Sequence, residues 1–238
     1  MARSLVAKSG TLKRMSSPGW LSRRFESVIR GSLTRAYETV RVDPAHFLFQ
    51  LQGAHGLPIS TFRGMATLPI ETVDEVAEHT IRAGMKIAAV EGAGLGLGGI
   101  LTVVPDMGIL AAITLRTVQK LSLIYGFEFN TDDEVAELWV AMASAAGVDI
   151  SRELVEKEIV NRFVPRVIRR IATQASAEFV EKWTGRLIPL LSAAIGAGLN
   201  YYFVRVWGQR ARAHFRQKHM RLRQQVLSPA EPLQLPAN

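Results

Sequence analysis

The feature that most constrains this chain is a glycine-rich apolar stretch from Gly84 to Gly126. Six glycines fall in its first part, residues 84–99, and each glycine in a helix interior costs roughly 1 kcal/mol relative to alanine. Close contact with another helix would offset this cost. Gly92 and Gly96 have the small-xxx-small spacing that lets two helix backbones touch. The stretch therefore predicts tightly packed helices in a water-poor environment made of partner helices, lipid or both.

The second half of the stretch predicts the other arm of a helical hairpin. The two apolar runs meet at Pro105–Asp106, which breaks the pattern and predicts the turn. The second helix is expected to reach Tyr125, with Gly126 as its terminating residue. Glu91 lies inside the first run, where a carboxylate is costly. An ionic contact between Arg116 and either Asp106 or Glu91 would neutralise an otherwise expensive group.

Composition limits the protein classes that remain. A chain of 238 residues is long enough to bury a substantial core, and its 48% hydrophobic content is high for an ordinary soluble domain. There is no cysteine, which excludes disulfides, thiol chemistry and thiolate metal sites.

The net charge of +8 is unevenly distributed along the chain. Residues 1–41 carry nine basic and two acidic side chains, residues 205–238 carry seven and one, and the middle is acidic overall. Basic ends predict contact with an anionic surface. A membrane is favoured over nucleic acid, because the adjoining segments are apolar and no helix-turn-helix, zinc or RNA-binding motif accompanies the charge.

The chain divides into one domain with two tails. Residues 1–19 are basic and are expected to form a disordered tail, with an organellar transit peptide as the alternative. Residues 20–226 are expected to form a single helical domain, and residues 227–238 a Pro-rich disordered tail. The first helix, Trp20–Val40, is amphipathic with cationic flanks, so it docks either on the protein core or at a membrane interface.

Further helices follow from start and stop signals. Thr131 and Glu134 have the spacing of a capping box. The expected elements are a short helix at Ala45–Leu51 followed by loop, a long helix opened by Pro69, a helix from Thr131 that stops at Gly147, one from Ser151 that ends before Pro165, and one over Val164–Trp183.

Two patterns resemble ligand sites but lack the residues that such sites need. Glu75, Glu78 and His79 resemble metal ligands, but a di-iron site needs a second copy of its Glu and His motif, and an acidic, solvated first helical turn accounts for them better. The run from Gly94 to Gly99 fits the dinucleotide pattern GxGxxG, but no alternation of strands and helices surrounds it.

A second apolar run, Leu187–Trp207, repeats the glycine theme at Gly196 and Gly198. It is expected to pack against the first run by backbone contact and to bury Asn200. A basic helical extension follows, and basic residues beside an apolar helix are typical of lipid-headgroup binding. The predicted headgroup residues are Arg205, Arg210, Arg212, Arg216, Lys218, Arg221 and Arg223.

Two motifs resemble those of the EcsC family. The central one contains Glu91, Gly92, Pro105, Asp106, Arg116, Gln119, Tyr125 and Gly126, and the later one contains Pro189, Gly196, Asn200 and Ala211. One departure is that the family commonly has Asp-Ile-Pro after the glycine run, whereas here Pro105 precedes Asp106. The resemblance implies a bacterial helical protein associated with an ABC exporter operon. It implies no established activity, so no catalytic residue is transferred.

These observations predict an all-α fold: a multi-helix bundle around a glycine-rich central hairpin, with basic helical extensions at both ends. The predicted function is a membrane-associated, non-enzymatic accessory protein of the EcsC type at the cytoplasmic face of the cell membrane. Its expected partners are an anionic membrane surface and an ABC transporter or other membrane protein, with no cofactor, metal or nucleic acid. The alternative is a soluble cytoplasmic protein that binds a hydrophobic ligand or a partner helix beside the hairpin.

Overall fold

A computed structural model of the chain describes residues 18–95, 103–150, 160–184 and 192–227. Within these ranges the protein is helical and has no strand, which confirms the predicted all-α class. The elements are α1 (Pro18–Thr39), α2 (Pro44–His55), a 3-10 segment (Phe62–Thr67), α3 (Ile70–Leu95), α4 (Val103–Ile124), α5 (Asp132–Ala145), α6 (Val160–Thr184) and α7 (Ser192–Leu227). Both predicted tails lie almost wholly outside the described residues.

Helix α1 buries its apolar face in the protein core. Phe25, Ile29 and Leu33 recur at helical spacing and are all buried, while the four arginines of the helix are exposed. The helix packs against α6 and α4. Docking on the core, one of its two predicted uses, is therefore confirmed.

The helix ends follow local signals closely. Thr131 and Glu134 form the predicted capping box, in which each side chain accepts a hydrogen bond from the backbone of the other. Gly126 and Gly147 have φ of 88° and 75°, a region that side-chain-bearing residues rarely adopt. The amides of Gly126 and Phe127 bond back to carbonyls in the last turn of α4, as in a Schellman motif.

The second helix is longer than predicted, and a further element follows it. Asp43 caps α2 by accepting a hydrogen bond from the His46 amide at 3.2 Å. The region after it was expected to be loop, but Phe62–Thr67 forms a 3-10 segment. Its apolar side chains, including Phe62 and Met65, are buried, so core packing stabilises a helical turn between Pro58 and Pro69, in a region whose composition favours loop.

The predicted turn at Pro105–Asp106 is wrong. Helix α4 begins at Val103, so both residues lie in its first turn. Proline is tolerated there because the first amides of a helix have no intrahelical acceptor. Helices α3 and α4 still pack together as a hairpin. Their connection is residues 96–102, which include Gly96 and lie outside the described residues.

A second boundary was also predicted wrongly. Helix α6 runs continuously through Pro165, where a break was expected. Phe163, Val164, Val167 and Ile168 are all buried around that position. Their packing continues across the proline, so tertiary contacts outweigh the one backbone hydrogen bond that proline cannot donate.

Helix α7 is the longest described element, with 36 residues. At 1.5 Å per residue it is about 54 Å long. It joins part of the second apolar run and the basic extension in one helix, and it packs against α3, α4, α5 and the 3-10 segment. Asn200 is buried, as predicted.

Close helix contacts occur at glycines other than those predicted. A Cβ added at Gly84 would lie 2.7 Å from Oγ1 of Thr117, and one at Gly208 would lie 3.1 Å from Ile81. Gly198, in contrast, is exposed and has no atom within 4 Å of such a Cβ. The expected backbone contact is therefore absent at Gly198. The surroundings of Gly92 and Gly196 lie outside the described side chains.

Candidate functional site

Helices α3 and α7 run antiparallel in a fixed register. Gly84 contacts Val204, and Ile81 contacts Gly208 one turn away. Farther along, Glu78 meets Arg212. The paired residue numbers fall along α3 from 84 to 78 as they rise along α7 from 204 to 212, which shows that the two helices are antiparallel. The interface therefore has a polar part toward the start of α3 and a glycine-mediated apolar part toward its end.

The polar part centres on Asp74, which three side chains contact. Tyr125 donates its hydroxyl to Oδ1 at 2.6 Å, Nε of Arg216 donates to Oδ2 at 2.8 Å, and Nη2 of Arg212 lies 3.6 Å from Oδ1. Burial by itself would raise the pKa of Asp74. The hydrogen bonds from Tyr125 and Arg216, with the charge of Arg212, hold that pKa below its ordinary value.

Arg212 also joins Glu78 to the same cluster. Its Nη1 donates to Oε2 of Glu78 at 3.0 Å, and Gln209 donates to the same oxygen at 2.7 Å. Burial and the hydrogen bond to Asp74 raise the pKa of Tyr125, so the phenol keeps its proton and remains a donor. Asp74 and Glu78 of α3 are thus partly buried partners of α7. The prediction of a solvated acidic turn is therefore wrong for Glu78, whereas Glu75 is exposed as predicted.

A second ionic cluster links α5 to α7. Oε1 of Glu137 lies 3.0 Å from Nε2 of His214 and 2.9 Å from Nζ of Lys218. The hydrogen bond from His214, reinforced by Lys218, lowers the pKa of Glu137 to about 2 despite partial burial. Lys218 also lies over the ring of Phe127, 4.9 Å from its centroid.

His219 is buried at the end of α4. Its Nδ1 lies 2.9 Å from the carbonyl oxygen of Tyr125, one of the carbonyls that a helix end leaves unpaired. Burial lowers the pKa of His219, which favours the neutral ring. Its Nε2 has no hydrogen-bond partner among the described residues.

Five of the seven predicted headgroup residues contact other parts of the bundle. Arg212, Arg216 and Lys218 bind carboxylates, while Arg210 and Arg223 donate to the carbonyls of Ala145 and Leu68. The other two, Arg205 and Arg221, are exposed and form no ion pair with the rest of the described chain. The pairing of Arg212 and Arg216 with the carboxylates of α3 was not predicted from the sequence. A matching spacing was present, because Asp74 and Glu78 are four residues apart and so are the two arginines.

The central-motif residues have separate roles. Gln119 is buried and accepts a hydrogen bond from the Val42 amide at 3.0 Å while donating to the Val40 carbonyl at 3.1 Å. It therefore ties the connection between α1 and α2 to α4. Glu91 and Arg116 are both exposed, and no ion pair joins them, so the proposed neutralising contact between these two does not occur. The alternative partner, the Asp106 side chain, lies outside the described region.

The residues with a metal-ligand pattern make other contacts. Glu78 belongs to the Arg212 cluster, and the ring of His79 packs edge-on against that of His55, with centroids 5.3 Å apart. Across the described ranges, no group of three or more potential metal ligands comes together.

An apolar surface lies at the end of the bundle opposite the polar part of the α3–α7 interface. Ile87 is 54% exposed and Val90 73% exposed on α3. The antiparallel register brings exposed Tyr201 and Tyr202 of α7 to the same end. Lys86 and Arg205 are also exposed and lie at this end of α3 and α7. We call these six residues the apolar end.

One segment in the described ranges, Met107–Ile124 of α4, is long and apolar enough to cross a membrane. However, 67% of it is buried inside the bundle. A core helix of a globular protein has the same properties, so this segment does not by itself indicate a membrane span.

A groove of about 430 Å³ lies between α2, α3 and α4. Apolar side chains of all three helices form most of its wall. Its polar lining consists of two cations, two histidines and three uncharged side chains: Arg116, Lys120, His55, His79, Gln50, Thr80 and Thr117. None of the described residues that line it is acidic.

Comparison with known proteins gives a consistent result. The sequence model of the EcsC protein family matches residues 21–220. Protein EcsC of Bacillus subtilis (strain 168) is 25% identical over 225 residues, which span 93% of this chain and 94% of that protein. The uncharacterized protein YdbA of the same organism is 21% identical over 157 residues, 60% of this chain and 58% of that protein. No solved structure matches the chain. The family match covers most of the helical bundle, and the chain belongs to the EcsC protein family.

Proposed function

We propose that this EcsC-family protein is a non-enzymatic accessory protein that docks its apolar end on the anionic cytoplasmic face of the cell membrane. The observation that carries the proposal is the exposure of Ile87 and Val90 at the same end of the bundle as two exposed tyrosines and two exposed cations. Clustered exposed apolar side chains are typical of interaction surfaces. Tyrosine favours the boundary between lipid and water.

The energetics favour attachment at the surface. Insertion of Ile87 and Val90 removes apolar area from water at about 25 cal/mol per Å². Lys86 and Arg205 each add on the order of 1 kcal/mol next to anionic lipid. These terms suit reversible, peripheral binding. The buried position of α4 supports the same choice over a membrane-spanning arrangement.

A membrane protein is the proposed partner at this surface, with an ABC transporter as the specific expectation. Its support is the family resemblance together with the similarity to protein EcsC over nearly the whole of both chains.

Flotation with vesicles tests the membrane proposal. Wild-type protein is expected to float with vesicles that contain anionic phospholipid. The double variant Ile87→Asp, Val90→Asp is expected to lose at least about tenfold in affinity, because it replaces the inserting groups with charges that anionic lipid repels.

Phe49→Asp provides the matched control, since Phe49 is 72% exposed on α2 and lies outside the apolar end. This variant is expected to float like wild type. Wild-type protein that stays in the soluble fraction would contradict the proposal, and so would equal flotation of the double variant.

A further inference from the structure

The groove between α2, α3 and α4 has the size of a small-molecule site. Its volume of about 430 Å³ falls within the range of roughly 300–1,000 Å³ that is usual for ligand pockets. Helix α4 lines it from Ile109 to Lys120. At 1.5 Å per residue this length is about 16 Å, so the groove is elongated.

The two ends of the groove differ in chemistry. Ile87 and Ile109 line one end. Arg116 and Lys120 lie toward the other end, four residues apart on the same face of α4, with Cβ atoms about 6 Å from each other. The groove therefore changes from apolar to cationic along its length.

The two cations lack acidic partners. Neither Arg116 nor Lys120 forms an ion pair with any described residue, and Lys120 lies 5.0 Å from the centroid of the Phe47 ring. Burial and the nearby charge of Arg116 lower the pKa of Lys120. Two like charges on one wall, one of them half-buried, are unfavourable without an anion. An anionic ligand would relieve both the repulsion and the desolvation.

We propose that this groove binds a long-chain fatty-acid anion, with its carboxylate between Arg116 and Lys120 and its alkyl chain directed toward Ile87 and Ile109. Arginine suits this role because its planar group matches a carboxylate with two parallel hydrogen bonds. The apolar wall suits an alkyl chain, since each buried methylene is favourable by the hydrophobic effect. The inference does not depend on membrane docking, because a free fatty acid needs no vesicle.

Isothermal titration of the full-length protein with dodecanoate tests this site. We expect saturable binding to wild type. The double variant Arg116→Gln, Lys120→Gln is expected to weaken binding at least about tenfold, because both charge-assisted contacts are lost. Arg30→Gln is the matched control, since it removes an exposed cation of α1 outside the groove, and it is expected to change affinity less than about twofold.

A second variant tests the proposed position of the ligand's alkyl chain without changing any charge. Ala83 lines the groove and is exposed, so Ala83→Trp fills the groove without entering the core. It is expected to reduce dodecanoate binding at an unchanged melting temperature. Absence of binding to folded wild type would overturn the inference, and so would unaltered binding by the double variant or by Ala83→Trp.

Discussion

At the scale of single residues, Arg212 links parts of the chain that are far apart in sequence. It binds Glu78 directly, lies beside Asp74 and approaches the hydroxyl of Tyr125 at 3.4 Å. All of these groups are partly buried, so their mutual attraction is screened less than that of surface ions. Loss of the guanidinium would leave two carboxylates facing each other without their shared cation.

Substitution of Arg212 should therefore destabilise the bundle. Arg212→Ala is expected to lower the free energy of unfolding by roughly 1.5–3 kcal/mol, the typical contribution of hydrogen bonds to charged groups. In a domain of this size each kcal/mol corresponds to about 2–4 °C in melting temperature. Calorimetry of the variant measures the change. Arg205→Ala, at an exposed position on the same helix, should stay within about 0.5 kcal/mol of wild type; an equal effect of the two variants would refute the assigned role of the cluster.

At the scale of elements, α3 and α7 interlock through glycines that lie outside the polyglycine run. Because Gly84 has no side chain, Thr117 of α4 and Val204 of α7 can pack against its backbone, and Ile81 of α3 packs against Gly208 in the same way. Thr117 is held in place because its hydroxyl donates to the Ile113 carbonyl at 2.8 Å. A new side chain at Gly84 would therefore meet a branched residue that has little freedom to move.

Two glycine substitutions should have opposite effects on stability. Gly84→Val is expected to destabilise by roughly 1–3 kcal/mol through overpacking. Gly198→Ala is expected to stabilise by about 0.5–1 kcal/mol, because Gly198 is a helical position with open space around its Cα. Denaturant unfolding of the two variants measures both changes. The contact between α3 and α4 would have to be reassigned if Gly84→Val unfolded at the wild-type denaturant concentration.

At the scale of the whole molecule, the basic end of the chain neutralises the acidic middle. Helix α7 supplies cations to carboxylates on α3 and α5. The pKa of Glu137 falls to about 2 from an ordinary value of 4.5, and that of Asp74 also falls. Groups with a lowered pKa stabilise the fold above their unfolded pKa and lose that contribution as the pH falls toward the folded value.

The bundle should consequently lose stability on acidification between about pH 4.5 and pH 2. Glu137→Gln is expected to flatten this part of the profile, because the variant has no proton to take up at that position. Thermal unfolding across this pH range measures the slope. Glu75→Gln, at an exposed position of α3, should leave the slope as in wild type. If Glu137→Gln also kept the wild-type slope, protonation of Glu137 could not be the cause of the acid-induced loss of stability.

Local signals in the sequence determined the fold class and several helix ends. The capping box at Thr131 and the terminating glycines Gly126 and Gly147 act through backbone geometry within a few residues, so they can be predicted without a tertiary structure. The amphipathic period of α1 likewise predicted its buried face. Two similar motifs in the right order were sufficient to indicate the family, which the family match later established.

Only the tertiary structure decided which charged side chains and glycines of distant helices contact each other. The periodicity of α7 could not show that Arg212 and Arg216 face the carboxylates of α3, because pairing depends on the register between two helices. The same register selected Gly84 and Gly208 as contact points and left Gly198 open. The groove that contains Arg116 and Lys120 exists because three helices meet there. Helical spacing is local, whereas which faces meet depends on packing of the whole chain.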